Sequence, residues 1–246
     1  ISGFFFFFSW EADAHVARFA ARRLLRIWPG LAVVTLLTAL VLGPWVSSLS
    51  PQQYFSQAEL RGFAWNLVFD LHNQLPLQFT GSALPAAVNS SLWTIPLELK
   101  CYLALAAVGF VGMLRYRGLL TALTTLAALL TYLVGEPIYR KHPELLQLRV
   151  DQVYLLHFGL YFFAGASLRQ LRFDSLSRWT LLLAVAGMWL FGGVALALGK
   201  PLLTLWLVIP ISVVLAGQAS TPFLRRAGRF GDLSYGLYIY AFPVQQ

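Results

Sequence analysis

Charge is what this sequence has least of. Of its 246 residues 11% are charged, against roughly 25% in an ordinary soluble domain, and 58% are hydrophobic. That balance excludes a water-soluble globule and makes the chain a membrane protein. Cysteine is nearly missing too: Cys101 stands alone, so the chain holds no internal disulfide and no cysteine-based metal site. The four histidines form no close pair, which argues against zinc, and no metal is expected. No repeat of fixed period, glycine-rich phosphate loop or Gly-x-Ser-x-Gly elbow occurs, so the motifs of soluble enzymes give no help. The net charge of +8 is not a nucleic-acid signal, because the arginines punctuate apolar runs instead of clustering on a soluble face.

What the chain does have is apolar length. Residues 27–45, 92–114, 119–134, 153–168, 179–198 and 202–217 read as six membrane-crossing helices, several nearer 16 residues than the roughly 20 that a span needs. Shorter apolar segments at 4–8 and 233–246 read as partial helices. The expected fold is an all-α polytopic transmembrane bundle, six full spans with a partial helix at each end. The chain is expected to be a fragment cut at both ends, because Ile1 opens directly on an apolar run with no basic region or cleavage site. Pro29 is expected in the first turn of its span, where a missing N–H costs nothing. The long connection 46–89 contains a mildly amphipathic piece, with Phe63, Leu67 and Leu71 recurring every four residues. It either lies on the membrane surface or folds back over the bundle.

The loops alternate in charge. Arg18, Arg22, Arg23, Arg26, Arg115, Arg117, Arg169, Arg172, Arg178, Arg225, Arg226 and Arg229 fall on one side; Arg61, Arg140, Lys141, Arg149 and Lys200 fall on the other. The first side is cytoplasmic by the positive-inside rule. This puts Glu98 at the extracytoplasmic pole of its helix, together with Asp151 and His157, and the arginine cluster at the opposite pole.

Residues 90–102, S-S-L-W-T-I-P-L-E-L-K-C-Y, hold an acid and a base at the mouth of an uncharged run. Thr94 can cap a helix, Pro96 fits its first turn, and Glu98 then lies where the helix dipole favours an anion. Glu98 and Tyr102 are four apart and share a face, with Asn89 and Trp93 nearby. An ionisable residue in a membrane helix is by default a functional candidate; the plainer reading is that Glu98 and Lys100 sit at the water interface within an aromatic belt. Arg18, Arg22 and Arg26 repeat every four residues, with Arg23 beside them, and such like charges repel unless an anion sits opposite. Lipid phosphate is one such anion. A phosphorylated donor such as coenzyme A is another, bound through bidentate guanidinium contacts. Asp151 and His157 are six apart, too far for a close dyad on one helix, and read as a solvated acid and an interfacial histidine. Gly165, in F-F-A-G-A-S, reads as a close helix-packing position.

Together these motifs resemble the bacterial integral-membrane acyltransferase 3 family, the O-acetyltransferases that decorate surface and extracellular glycans. I-S-G-F at residues 1–4 resembles the family's S-G-F segment, and R-R-L-L-R-I-W-P at 22–29 its R-x-x-R-I-x-P helix entry. S-L-W-T-I-P-L-E-L-K-C-Y at 91–102 is similar to its W-S-L-x-x-E-x-x-F-Y block, the most specific of the set, and D-L-S-Y-G-L-Y-I-Y-A-F-P at 232–243 resembles a late-helix motif.

The resemblance covers nearly the whole chain and implies one membrane acyltransferase domain, residues 1–246. It implies a short acyl group, acetyl from acetyl-CoA, moved to a carbohydrate hydroxyl by a multi-pass protein of the bacterial inner membrane. Its partners would be the lipid bilayer, acyl-CoA and the carbohydrate acceptor, with no permanently bound cofactor. Arg22, Arg23 and Arg26, with Ser2 and Gly3, would serve the donor; Glu98 and Tyr102 would be catalytic; Asn89 and Trp93 would face the acceptor. Two departures stand out. The family's proton-transferring histidine belongs to a helix upstream of Ile1, so this chain is expected to be inactive alone, and Ala241 stands where many relatives carry histidine before F-P. A transporter of lipid or polysaccharide without covalent chemistry is the alternative, which discontinuous helices and paired repeats would favour.

Overall fold

The computed structural model describes residues 2–72, 74–76, 88–116, 118–141, 150–172, 176–218 and 234–245. All regular structure among them is helical, with no strand. Arg117, Arg149, the basic loop with Arg225, Arg226 and Arg229, and Asp232 lie outside the described residues, as do the side chains of Arg140, Asp151 and Arg178. Among the described residues three helices are long and apolar enough to cross a bilayer: Val16–Val46, Ser90–Phe110 and Trp179–Ala197. Leu119–Gly135 and Pro201–Ala216 are apolar but shorter. The chain divides into two compact units, Ile1–Phe19 with Cys101–Ser220, and Ala20–Lys100 with Thr221–Gln246.

The first unit is built on α7 (Val150–Gln170), which packs against α1 (Ser2–Ala12), α6 (Leu119–Leu130) and α9 (Pro201–Gln218), while α8 (Arg178–Ala197) pairs with α9. Only 17% of the apolar window of α8 is buried, so this helix presents nearly all of its apolar surface outward, as a lipid-facing helix does. Ser177 caps α8 by accepting from the Thr180 N–H at 3.2 Å. Gly199, at φ +72°, turns the chain from α8 into α9 as the Gly-Lys-Pro sequence predicts, and the Lys200 ammonium donates to the Tyr132 hydroxyl at 2.8 Å. Gln170, buried at the end of α7, donates to the carbonyls of Leu114 and Tyr116 and so holds the Arg115 turn.

The α1–α7 contact depends on two glycines. A Cβ on Gly3 would overlap the Phe162 carbonyl, and one on Gly165 would lie 3.2 Å from the Phe4 nitrogen. The two backbones therefore approach where side chains would hold them apart, the packing role read for Gly165. Gly3→Ala is expected to cost about 1–3 kcal/mol, the usual penalty of overpacking, and Gly165→Ala less. Thermal unfolding in detergent checks both, and equal melting temperatures for Gly3→Ala and wild type would contradict this packing.

The second unit starts on α2 (Val16–Leu37), continued by a π-helical turn at Thr38–Leu42 and by Gly43–Val46. By its apolar run alone this span starts at residue 27. Helix in fact begins eleven positions earlier, because the arginine-bearing segment is itself a good helix former. Pro29 consequently lies in the helix interior, not its first turn. There it removes one i→i−4 hydrogen bond, a loss that membrane helices tolerate.

The connection after α2 folds back instead of lying free. Ser50 and Gln53 form a capping box with Pro51 at the first helical position, starting α3 (Pro51–Ser56). Tyr54 on α3 is buried, and its hydroxyl donates to the Ala39 carbonyl at 2.9 Å within the π-helical turn. That turn tolerates the contact because residue 43 is glycine, whose missing Cβ leaves room for the tyrosine hydroxyl. In α4 (Ala58–Ala64), Phe63 packs with Ala39, Leu75 and Val88. Trp28 donates from Nε1 to the Leu67 carbonyl at 3.0 Å. Asn66, fully buried, accepts from the His72 N–H at 2.7 Å and donates to its carbonyl at 3.0 Å.

Candidate functional site

Three pieces of the second unit build the site: α2, the start of α5 (Thr94–Phe110) and α10 (Ser234–Gln245). The chain enters α5 through a 3-10 turn, Ser90–Trp93, which Asn89 caps by accepting from the Ser91 N–H at 3.1 Å. Thr94, expected to be the cap, bonds elsewhere: its hydroxyl shares a 2.8 Å hydrogen bond with that of Tyr238. The tighter 3-10 lead-in moves the capping position upstream to Asn89 and leaves Thr94 to pin α10. Asn89 also donates from Nδ2 to the Ile239 carbonyl at 2.8 Å. Only 1% exposed, it is occupied by both ends of its amide. Trp93, 44% exposed, keeps an open face.

These clamps set α10 against α2 at Gly30, where an added Cβ would lie 2.9 Å from Tyr235 Cε1 and 3.2 Å from Ile239 Cδ1. Around this contact the charged groups gather. Glu98, half-buried, is close enough to Arg23 to act on its charge, as are Arg22 and Arg26. Glu98 acts in the same way on Tyr235. By charge alternation alone the arginine cluster and Glu98 belong to opposite poles. The structure makes Arg23 and Glu98 neighbours, because α2 carries Arg23 seven residues in from its start instead of leaving it in a loop. Glu98 offsets part of the repulsion that Arg22 and Arg26 exert on Arg23. Arg22 and Arg26 are exposed.

The remaining candidates lie in the first unit. The Tyr102 ring is 4% exposed and stacks on Phe6, centroids 3.7 Å apart, with Phe162 at 5.8 Å. Ser2 is exposed and Gly3 buried at the α7 contact, so packing accounts for the glycine. Arg169 pairs with Glu11 at 2.8 Å and Arg18 with Asp13 at 3.0 Å, which explains those cations without a ligand. His157 lies against Trp206, ring centroids 5.5 Å apart. A cavity of about 380 Å³ between α6, α7, α8 and α9 is lined by Leu160, Phe191 and Leu203 with the hydroxyls of Thr121, Thr124 and Ser167. No carboxylate, imidazole or guanidinium lines it, so it lacks the groups that acyl transfer would use.

Tyr235 was not singled out by sequence reasoning. Its signal was present in S-Y-G-L-Y-I-Y, but several tyrosines on one short helix do not tell which of them faces inward.

A family model described as Acyltransferase domain matches residues 1–246. An O-acetyl transferase of Shigella phage Sf6 is 27% identical over 235 residues, covering 93% of this chain and 66% of that protein. The chain thus spans just under two thirds of that relative's length. No solved structure matches the chain.

Proposed function

This chain belongs to the acyltransferase domain family, and from that premise we propose that it moves acetyl from acetyl-CoA to a hydroxyl of a cell-surface or extracellular carbohydrate. It does so as a multi-pass protein of the bacterial inner membrane, with Leu119–Gly135, Val150–Gln170 and Pro201–Gln218 crossing beside the other three. The lengths of Leu119–Gly135 and Pro201–Gln218 match a locally thinned bilayer.

The observation that carries the reading is the meeting of Arg23 and Glu98 beside two exposed arginines. Thioester transfer needs cations for the phosphates of the donor and a general base for the proton of the acceptor. Arg22 and Arg26 hold the phosphates. Arg23 orients Glu98, and Glu98 positions the acceptor hydroxyl or the family's proton-transferring histidine, which takes the proton. Trp93 offers an aromatic face to the acceptor sugar, while Asn89 holds the frame on which Glu98 stands.

The test is transfer of radiolabelled acetyl from acetyl-CoA to a panel of deacetylated bacterial surface polysaccharides by the full-length protein in nanodiscs. Base-labile label on polysaccharide above a no-protein control is expected. Consumption of acetyl-CoA with no label on any polysaccharide would overturn the acceptor class, and no consumption at all would overturn acyl transfer.

A further inference from the structure

We propose that the Tyr235 hydroxyl is a hydrogen-bond donor to the thioester carbonyl oxygen, holding the oxyanion that forms there during transfer. The inference rests on the acyl-transfer reading above and assigns that site one further catalytic residue. Three observations carry it. The hydroxyl of Tyr235 is buried and has no hydrogen-bond partner among the described residues. Buried polar groups are nearly always paired, and an exception in a charged site calls for a ligand to complete it. Tyr235 is also held in place on two sides, by its ring against Gly30 and by the bonds of its neighbours Tyr238 and Ile239 to Thr94 and Asn89. Finally, it belongs to the charged cluster itself: Glu98 acts on it, and Gly30, against which the ring sits, is seven residues after Arg23 on the same face of α2.

A phenol is a neutral donor at pH 7. Unlike a further cation it does not compete with Arg23 for Glu98, and an unpartnered O–H can turn toward charge that exists only during reaction. The acceptor hydroxyl oxygen forms a bond to the thioester carbon as its proton passes to the general base that Glu98 orients. The carbonyl π electrons move onto oxygen, where the Tyr235 O–H bonds to the resulting oxyanion. When the carbonyl re-forms, the C–S bond breaks and the coenzyme A thiolate takes the proton from that base. The products are the acetyl ester and the thiol, and Tyr235 keeps its own proton throughout.

Tyr235→Phe in the full-length protein tests this, assayed with acetyl-CoA and the same deacetylated polysaccharides. The substitution keeps the ring against Gly30 and removes only the hydroxyl. Loss of one oxyanion donor is expected to lower kcat about 10²- to 10³-fold, with both KM values little changed and no drop in melting temperature, since no hydrogen bond within the protein is lost. A purely structural role for Tyr235 would leave kcat unmoved. Wild-type kcat in the variant therefore overturns the inference while acyl transfer stands, whereas absence of transfer by the wild-type protein overturns the reading beneath it. Should the variant fail to insert, 3,5-difluorotyrosine at position 235 keeps ring and hydroxyl and alters donor acidity. A shift in kcat then supports the inference, and an unchanged kcat overturns it.

Discussion

Glu98→Gln in the full-length protein is expected to lower kcat for acetyl transfer by about 10- to 10⁴-fold, the range for a carboxylate that orients a general base or an acceptor hydroxyl, while insertion and folding persist. Glutamine preserves the shape and the hydrogen-bonding reach of the side chain, and loses the charge and the ability to take a proton. Because Glu98 acts on Arg23, a second effect must be kept apart from the first. A neutral amide beside Arg23 restores the repulsion among three arginines, and if Glu98 served only to place those arginines for the donor, KM for acetyl-CoA would rise with kcat retained. A fall in kcat with an unchanged donor KM identifies the carboxylate as chemically active. Unchanged turnover would return Glu98 to the role of an interfacial residue.

The second large effect concerns the arginines, and it divides them. Arg22→Lys and Arg26→Lys preserve the charge that orients the protein in the membrane but lose the planar fork that grips a phosphate through two hydrogen bonds. Hydrogen bonds to charged groups contribute about 1.5–3 kcal/mol, so one lost contact raises KM for acetyl-CoA by roughly 10- to 100-fold at 1.4 kcal/mol per decade. The acceptor KM is expected to stay put. Arg23→Lys differs, because Arg23 is half-buried and stands beside Glu98; it is expected to act on kcat more than on donor KM. If the anions served by Arg22 and Arg26 are lipid headgroups, both lysine variants will keep wild-type donor kinetics and the cluster reverts to a topological anchor.

How far the sequence could be read differs between elements. Helical class, apolar segments and the turns at Arg115 and Gly199 followed directly from apolar runs broken by basic or glycine-bearing breaks, since each is a local property of a few residues. The start of α2 did not. Arginine at positions 18 to 26 reads as loop when counted for positive-inside bias, but arginine is a strong helix former, and the helix runs straight through the cluster. From that one displaced boundary came both the wrong position for Pro29 and the separation of Arg23 from Glu98. The neighbours of Glu98 were illegible for another reason. Arg23 is 75 residues before it and Tyr235 well over a hundred after it, and no local periodicity reports a contact at such separation. Asn89 shows the same limit from the other side: a polar residue beside a motif looks like a substrate contact until its amide is seen bonded to Ile239.

The close approach of α1 and α7 also bears on how the protein is made. Gly3 meets Phe162, so the phenylalanine-rich α1 leaves the ribosome well before its partner exists. At about 5–20 residues per second, the roughly 160 intervening residues take on the order of 8–30 s to synthesise. For that interval α1 has no helix to receive its glycine face, and in the bilayer other small-residue helices compete for it. An insertase that shelters early helices until later ones arrive would shorten this exposure. Yield of the Gly3→Ala and Gly165→Ala variants should therefore fall more steeply than that of the wild-type protein when translation is slowed, a kinetic penalty laid on top of the loss in final stability.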